Sequence, residues 1–303
     1  MRVRRRRWPW VLLGIAVLLY ATKVFLLDSA VGPGAPYAID LAALHQAAVA
    51  GGGPLPERIE VEKVGSFAFP RTLVVAGQGF RMHQMVLLAH RVVWPDKSIV
   101  IDTAMAPAAA QKMPGSKLDT GAFDRLEAAL KRASGIVFTH EHQDHVGGVA
   151  AAPDFAAIAP KVKMTREQLD SPKLEKGEFP PGTLASLAPL EYQGLYAVAP
   201  GVVLQHAPGH SPGSQLVYVE LANGQRFLFV GDIAWTHDNI TAQRGRPRIA
   251  TLLMKEDRPA VAAQLQALAA LPGDVHGIAA HDPVALEKDL AAGLYRQGFA
   301  AAP

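Results

Sequence analysis

The sequence predicts an α/β domain in which sheets are covered by helices, preceded by an apolar N-terminal helix. Short runs rich in Val, Ile, Leu and Phe alternate with segments of helical periodicity, and the order strands, helix, strand occurs twice. Such alternation is typical of layered α/β domains. Histidine and aspartate residues directly follow several of the predicted strands, where α/β folds place their functional side chains.

The composition narrows the possible classes of protein. The chain has 303 residues, a formal net charge of +3 and no cysteine. This length suffices for a large apolar core. The lack of cysteine excludes disulfides, thiolate metal ligands and a cysteine nucleophile. Positive charge is concentrated in the basic N-terminal segment 1–7, predicted to be cytoplasmic, and the remainder has no basic stripe, so no nucleic-acid partner is expected.

The segment 8–27 (WPWVLLGIAVLLYATKVFLL) is apolar apart from Lys23 and has the length of a transmembrane helix. The arginines before it predict a cytoplasmic N-terminus and place the rest of the chain on the periplasmic side of the inner membrane. A cleaved signal peptide, which would give a secreted protein, is the alternative. Its small-x-small cleavage pattern is poor at both candidate positions, which favours an uncleaved, single-pass anchor.

Residues 28–56 are predicted to form a linker, because GPGAP and GGGPLP interrupt the chain on either side of a short helix at 41–50. The domain proper is predicted at 57–303. Its helices are expected at 122–133 and 258–271, and the region 160–200, which has no clear periodicity, is predicted to be an inserted loop bordering the site. The predicted strands are 58–69, 71–77, 84–94, 98–102, 135–140, 201–208, 214–221 and 226–232.

The segment THEHQDHVGG at 139–148 has the composition of a metal site. His140 and His142 are two residues apart in an extended segment, so their side chains leave the same face. Gly147 and Gly148 are expected to give the backbone the freedom to turn into a helix. A catalytic zinc usually takes three protein ligands, so further ligands must come from elsewhere in the chain. The candidates are Asp144 and His145 nearby, and His210, Asp232 and His281, which each follow an apolar strand.

Asp102 ends the apolar run SIVID and is predicted to orient a ligand histidine from behind. A turn or capping role is the alternative, because Asp-Thr is a common turn start. The other histidines match no ligand motif, although His83 and His237 are expected near the mouth of the site. These ordinary histidines are His45, His83, His90, His206, His237 and His276.

This set of motifs resembles that of the metallo-β-lactamase superfamily of dinuclear metallohydrolases. The residues that carry the resemblance are, in order, Asp102, His140-x-His142-x-Asp144-His145, His210, Asp232 and His281. The resemblance implies an αββα metallo-β-lactamase sandwich with two metal ions at the edge of its sheets. It assigns His140, His142 and His210 to the first metal and Asp144, His145 and His281 to the second, with Asp232 bridging them.

The implied cofactor is a pair of zinc ions, although iron or manganese would accept the same ligands. Two such ions share a bridging hydroxide that attacks a carbonyl or phosphorus centre. The carboxylate of Asp232 offsets part of the repulsion between the ions. Asp144 and Asp232 are therefore the predicted catalytic residues, and the predicted partner is a small-molecule substrate.

The details discriminate among the members of the superfamily. True β-lactamases lack an aspartate bridge, and in glyoxalase-II-type thioesterases the last histidine usually precedes Glu and Tyr, whereas here Asp282 and Pro283 follow His281. That pair and APGHSPGSQ at 207–215 look more like quorum-sensing lactonases. Those enzymes place a tyrosine three residues after the bridging aspartate, whereas this chain has Trp235, predicted to line the substrate pocket without a phenol hydroxyl.

The sequence therefore predicts a membrane-anchored dizinc hydrolase of a small lactone or ester. A glyoxalase-II-like thioester hydrolase is the first alternative, and a non-catalytic metal-binding or scaffold protein of the same fold is the second. A nuclease is disfavoured by the lack of basic surplus, and a flavin-dependent oxygen reductase by the short segment after His281. The sequence carries no signal for an oligomeric state.

Overall fold

The computed structural model describes residues 8–28, 30–32, 34–113, 115–174 and 178–300. The predicted basic segment 1–7 lies outside the described residues. The helices are α1 (Trp8–Thr22), α2 (Leu41–Val49), α3 (Arg71–Val74), α4 (Pro107–Lys112), α5 (Thr120–Arg132), α6 (Gln143–Ala150), α7 (Phe155–Ile158), α8 (Arg166–Leu169), α9 (His237–Thr241), α10 (Arg248–Met254), α11 (Arg258–Ala269) and α12 (Pro283–Ala291).

The described strands form two sheets. The first sheet has the order β12-β1-β2-β3-β5-β6, with β4 also paired to β1, and the second has the order β11-β10-β9-β8-β7. The strands are β1 (Arg58–Pro70), β2 (Met82–Val93), β3 (Ser98–Ile101), β4 (Lys117–Leu118), β5 (Gly135–Val137), β6 (Val162–Lys163), β7 (Leu195–Ala199), β8 (Val202–His206), β9 (Gln215–Glu220), β10 (Arg226–Phe229), β11 (Val275–Ile278) and β12 (Arg296–Gln297).

Alternating side chains explain why the two sheets stack face to face. On β9, Val217 and Val219 point between the sheets and pack with Val61 and Val86 of the first sheet. Successive residues of a strand face opposite sides, so the neighbours on β9 point outward. There Tyr218 packs among residues of α2 and α11.

Helices cover the outer face of each sheet. Phe123 and Leu126 of α5 are buried against the first sheet, and Leu265 of α11 is buried against the second. The helix α5 has the predicted apolar face and is capped by Asp119, whose side chain accepts a hydrogen bond from Ala122 N at 2.9 Å. The predicted order helix, sheet, sheet, helix is confirmed.

Two predictions of local structure are wrong. The segment 71–77, predicted as a strand, forms α3 and a turn, because Pro70 ends β1 and the tip of the β1–β2 hairpin closes through Thr72 N donating to Gly79 O at 2.7 Å. The region 160–200, predicted as a loop, contains β6, α8 and β7. These elements are at most five residues long, too short to show periodicity.

The apolar segment forms α1, which continues as a π-helix over Lys23–Leu27. None of its hydrophobic window is buried, and by length and composition it could cross a membrane. The short helix predicted within the linker is present as α2. Leu44 and Ala48 of α2 are fully buried against the second sheet, so this segment contributes to the core.

Candidate metal centre

The segment after β5 places four of the predicted ligands on one short stretch of backbone. His142 has extended backbone angles and immediately precedes α6, so Asp144 and His145 fall in the first turn of that helix. His140 and His142 reach the same group of ligand atoms, as their spacing predicts. The turn into α6 then directs Asp144 and His145 to a second group.

Gly147 and Gly148 have a different role from the one predicted. Both lie inside α6, where their N–H groups donate to Ala104 O and Thr103 O, each at 2.9 Å. A Cβ on Gly147 would lie 2.1 Å from Ala106 N, and one on Gly148 would lie 2.7 Å from Thr103 O. The missing side chains therefore let α6 pack directly on the loop after β3, which brings His145 close to Asp102.

The remaining three candidates come from one end of the second sheet. His210 lies in the loop between β8 and β9, Asp232 in the 3₁₀ turn that follows β10, and His281 just after β11. Trp235 O accepts a hydrogen bond from His281 N at 2.9 Å, which joins the last two segments. The ends of three strands thus meet the THEHQDH segment at one sheet edge.

The seven predicted ligands form two groups that share Asp232. One group is His140, His142, His210 and Asp232, the other is Asp144, His145, Asp232 and His281, and within each group the potential ligand atoms lie within 4.8 Å of one another. Asp232 Oδ1 lies 3.3 Å from His145 Nε2 and 3.1 Å from His281 Nε2. Asp232 Oδ2 lies 3.6 Å from His140 Nε2 and 3.3 Å from His210 Nε2. One carboxylate therefore faces both groups, one oxygen to each.

Acceptors outside the two groups orient the histidine rings. When Nδ1–H is donated outward, the lone pair of Nε2 faces inward, as metal binding requires. His142 differs, since its Nδ1 lies 3.0 Å from His210 Nε2 and so faces the group. The outward bonds run from His145 Nδ1 to Asp102 Oδ2 at 2.8 Å, from His210 Nδ1 to Glu256 Oε2 at 3.0 Å, and from His281 Nδ1 to Val86 O at 2.8 Å.

The residues fit a pair of divalent metal ions. The Nε2 atoms of His140, His145 and His281 and Oδ1 of Asp232 are buried without a hydrogen-bond partner. Buried polar atoms are rarely left without a partner. A metal ion in each group would provide the missing partner for these atoms. Imidazole nitrogen and carboxylate oxygen, without sulfur, are ligands that zinc, iron and manganese all accept.

The electrostatics of the two groups differ. Burial and the neighbouring His145 hold the pKa of His140 well below its usual value, although Asp232 opposes the shift. Burial also lowers the pKa of His145, but the carboxylates of Asp102, Asp144 and Asp232 outweigh it, so the net pKa lies well above its usual value. His145 therefore lies in a more negative environment than His140.

Asp102 occupies the position predicted for it, behind His145. Besides the bond from His145, it accepts hydrogen bonds from Thr139 N and Thr139 Oγ1, both at 2.7 Å. Its φ is +55°, a conformation that Asp tolerates better than most residues but that still carries strain. The surrounding hydrogen bonds hold this strained turn in place, so the carboxylate is fixed in position.

Two functional candidates were missed by sequence reasoning. Glu256, which accepts from His210, also accepts from Arg246 Nε at 2.9 Å, and Arg246 Nη2 donates to Asp232 O at 2.7 Å. Both side chains are almost fully buried. Burial raises the pKa of Glu256, but the charge of Arg246 and the hydrogen bond with His210 together outweigh it, so the net pKa lies below its usual value. Neither residue follows a strand or belongs to a motif, so the sequence offers no signal for them.

Trp235 was predicted to line a pocket, and the structure adds a direct contact with the site. Its Nε1–H donates to Asp232 Oδ2 at 2.6 Å. The indole ring stacks on Phe69 with centroids 5.9 Å apart, and the guanidinium carbon of Arg246 lies 4.9 Å from the ring centroid. Trp235 is therefore held between two neighbours and orients the shared carboxylate.

The predicted ordinary histidines stay outside the two groups. His83 and His237 line a groove beside α12. His45 bonds Glu220, with Nδ1 2.9 Å from Oε2. In the region 160–200, Gln168 Nε2 donates to Phe138 O at 3.2 Å, so this segment supports the THEHQDH stretch from behind.

Comparison with known proteins identifies the family. The sequence model of the metallo-β-lactamase superfamily matches residues 92–281, which include every predicted ligand and Asp102. The chain belongs to the metallo-β-lactamase superfamily. Among curated members, an N-acyl homoserine lactonase of Bacillus cereus is 30% identical over 123 residues, 38% of this chain and 47% of that protein. A hydroxyacylglutathione hydrolase of Aeromonas hydrophila is 31% identical over 160 residues, 52% of each protein.

The chain thus spans about half the length of these curated superfamily members. Solved structures with a similar fold cover a larger share of this chain than the curated sequences do. An N-acyl homoserine lactone hydrolase, with N-hexanoyl-L-homoserine bound at its catalytic metal centre, has a TM-score of 0.56 at 18% identity, over 77% of this chain and 96% of that one. The dizinc quorum-quenching lactonase AidC has a TM-score of 0.55 at 16% identity, over 75% and 89%. At these identities the likeness shows the metallo-β-lactamase fold.

Proposed function

We propose that this chain is a membrane-anchored, dinuclear metal-dependent hydrolase of a lactone or ester. The observation that carries the proposal is the placement of Asp232, whose two oxygens face separate groups of histidines. A carboxylate shared in this way suits two cations held close together. Family membership and similarity to N-acyl homoserine lactonases support the hydrolase class.

The seven ligand residues would hold the metals, and the residues that hydrogen-bond to them would fix the orientation of their side chains. Two divalent ions in these groups would supply Lewis acidity, which activates water and polarises a carbonyl. Asp102 and Glu256 fix the ring orientation of His145 and His210, and Trp235 fixes Asp232. Asp144 is the most exposed of the second group's ligands, with a side chain 17% accessible. Hydrolysis adds water across the acyl–oxygen bond, so a lactone would leave as a hydroxy acid.

We propose two zinc ions as the resident metals, because zinc is the usual partner of His and Asp in hydrolytic sites. Iron or manganese would fit the same nitrogen and oxygen donors. Elemental analysis of the full chain purified in detergent decides between them. Two zinc ions per chain support the assignment, and a stoichiometric content of iron or manganese replaces it.

The full chain should then be tested against lactones, thioesters, β-lactams and phosphodiesters. We expect chelator-sensitive turnover of lactones or simple esters. Turnover confined to β-lactams or phosphodiesters would overturn the proposed substrate class. Two bound metals without turnover of any class would instead support a non-catalytic metal-binding or scaffold protein.

A thioester hydrolase is the second candidate, supported by the similarity to hydroxyacylglutathione hydrolase. The structure explains the unusual His281-Asp282-Pro283 run. Asp282 caps α12 by accepting from Val284 N at 2.9 Å, and its other oxygen accepts from His237 N at 2.8 Å. Both carboxylate oxygens of Asp282 therefore accept hydrogen bonds from backbone N–H groups. Faster turnover of glutathione thioesters than of lactones would favour this second candidate.

We further propose that α1 anchors the protein in the inner membrane as a single-pass helix, with the catalytic domain on the periplasmic side. The length and apolarity of the helix and the basic residues before it support this arrangement. Alkaline extraction of membranes, together with the intact mass of the protein, tests it. A cleaved, extractable protein would establish the secreted alternative.

A further inference from the structure

Large apolar side chains are exposed at few positions outside α1 in the described ranges, and most of those positions are close together. Isolated exposed apolar residues are ordinary, whereas a group of them marks an interaction surface. We call this group the collar. It comprises Phe25 of the π-helix, Phe80 and Met82 of the β1–β2 hairpin, and Ile249, Leu252 and Leu253 of α10; the other exposed large apolar residues are Val49 and Val284.

The three segments of the collar meet where the apolar helix ends. Thr72 Oγ1, in the tip of the hairpin, donates to Leu26 O at 2.9 Å. Ala76 N, also in the hairpin tip, donates to Gly245 O at 3.1 Å, just before α10. The helix α10 itself packs against the π-helix Lys23–Leu27. The segments that carry the collar therefore come together at the point where the proposed anchor joins the domain.

The same segments reach the metal centre. On the hairpin side, Phe69 of β1 stacks on Trp235, which bonds Asp232. On the α10 side, Glu256 lies two residues after Met254, the last residue of the helix, and accepts from His210. The collar thus lies on two elements that flank the site.

Cations accompany the apolar side chains of the collar. Arg81 lies between Phe80 and Met82, Arg248 precedes Ile249, and Lys255 follows α10; all three are exposed. Apolar side chains with Lys and Arg at their border are the signature of a surface that lies in the headgroup region of a bilayer. Leu253, with 79% of its surface accessible, would be costly to leave in water.

We infer that the collar rests in the membrane interface, so that the metal centre receives its substrate from the bilayer. This inference rests on the proposed anchor and hydrolase activity and deepens them. The substrate class is an amphiphile that partitions into lipid, namely a lactone or ester with a long acyl chain. The polar head would reach the metal centre while the acyl chain remains against the collar.

The first experiment measures the depth of the collar. Because the chain has no cysteine, Leu253→Cys gives a single attachment site for an environment-sensitive fluorophore in the full chain. The labelled protein is reconstituted in vesicles that contain anionic lipid and a nitroxide-labelled lipid. Strong quenching at position 253 is expected. The control is Asn223→Cys, in the β9–β10 turn at the far end of the second sheet, where quenching should be absent. Equal quenching at both positions, or none at 253, would overturn the inference.

The second experiment measures turnover of the metal-loaded full chain in vesicles. Leu252→Ser with Leu253→Ser should lower turnover of a long-chain acyl lactone roughly ten-fold, because the interface loses two apolar side chains. Turnover of a short-chain, water-soluble lactone should be unchanged. The control, Val49→Ser with Val284→Ser, removes two exposed apolar side chains outside the collar and should affect neither substrate.

The two experiments separate failure of this inference from failure of the proposed function. Equal effects of the Leu252 and Leu253 substitutions on both lactones would overturn delivery from the bilayer while hydrolysis stands. If the wild-type chain hydrolyses neither lactone, the proposed function and the inferred substrate class both fail. The quenching at position 253 would still decide whether the collar lies in the membrane.

Discussion

Two buried carboxylates each accept a hydrogen bond from a ligand histidine of the metal centre, but their other hydrogen-bond partners differ. Asp102 accepts from His145 Nδ1 at 2.8 Å, and Glu256 accepts from His210 Nδ1 at 3.0 Å. The further donors to Asp102 are the neutral groups of Thr139. Glu256, by contrast, forms an ion pair with the buried Arg246. Both carboxylates orient a ring, but only Glu256 has its charge balanced by an arginine.

The electrostatic environments of His145 and His210, the two histidines that these carboxylates orient, also differ. Near His145, three carboxylates raise its pKa well above the usual value despite burial. For His210, burial and the charge of Arg246 lower the pKa, but the hydrogen bonds that His210 makes to Asp232 and Glu256 and the charge of Asp232 outweigh them, so the net pKa is raised. A carboxylate balanced by arginine mainly fixes position, whereas an unbalanced one also adds negative potential. The predictions below separate these two effects.

The largest effect is expected from removing a ligand that belongs to one half. His142→Ala should abolish turnover and sharply lower the metal content of the first position, because only His140, His210 and the shared carboxylate of Asp232 remain there as ligands. Metal content and turnover of the full chain are measured together. His45→Ala is the control, since His45 bonds Glu220 away from the site and should leave both quantities unchanged. Wild-type turnover in His142→Ala would refute the site assignment.

The next largest effect is expected at Glu256, the carboxylate paired with Arg246, and it concerns stability. Glu256→Gln leaves Arg246 buried without a counter-charge, so the free energy of unfolding should fall by about 3–5 kcal/mol. Denaturant unfolding in detergent measures the change.

A second variant isolates the charge. Arg246→Met combined with Glu256→Gln removes both charges and should regain much of the lost stability, because no ion is left unpaired. If the single and double variants are equally unstable, the charge balance is not what stabilises this half.

Asp102→Asn should have a smaller effect on stability but a clear one on metal binding. The amide keeps the size of the side chain, but loses the charge and offers a poorer acceptor to His145, so affinity at the second position should fall by about 10–100-fold. Competition with a chelating dye measures it. Asp282→Asn is the matched control, because Asn caps α12 as well as Asp does and Asp282 contacts none of the ligand rings in the described hydrogen bonds. Equal losses in both variants would argue against an orienting role for Asp102.

The smallest effect is expected at Trp235, whose indole bonds the carboxylate shared by both halves. Trp235→Phe keeps stacking with Phe69 but loses the hydrogen bond, so the unfolding free energy should fall by about 1.5 kcal/mol and metal affinity by less than about ten-fold. Trp94→Phe is the comparison, since Trp94 Nε1 donates to the neutral carbonyl of Pro54 at 3.1 Å. It should lower stability without altering metal affinity; a change in affinity in both variants would indicate a general structural effect.

Local features of the site were predictable because they depend on short spacings. The two-residue spacing of His140 and His142 in extended backbone correctly placed both in one group. The strand-end positions of Asp232 and His281 likewise brought them to one edge. In contrast, the roles of Gly147 and Gly148 depend on how closely α6 approaches another loop, which no local pattern encodes.

The sequence by itself determined a layered α/β domain, the seven candidate ligands and the apolar N-terminal helix, because periodicity and spacing act over a few residues. The αββα order was implied by the resemblance of its motifs to the metallo-β-lactamase superfamily. Only the tertiary structure decided which oxygen of Asp232 faces which histidines, and that Glu256 and Arg246 stand behind His210. It alone also gathered the hairpin tip and α10 around the end of the apolar helix. Those arrangements join residues far apart in the chain, and their geometry is set by packing rather than by local preference.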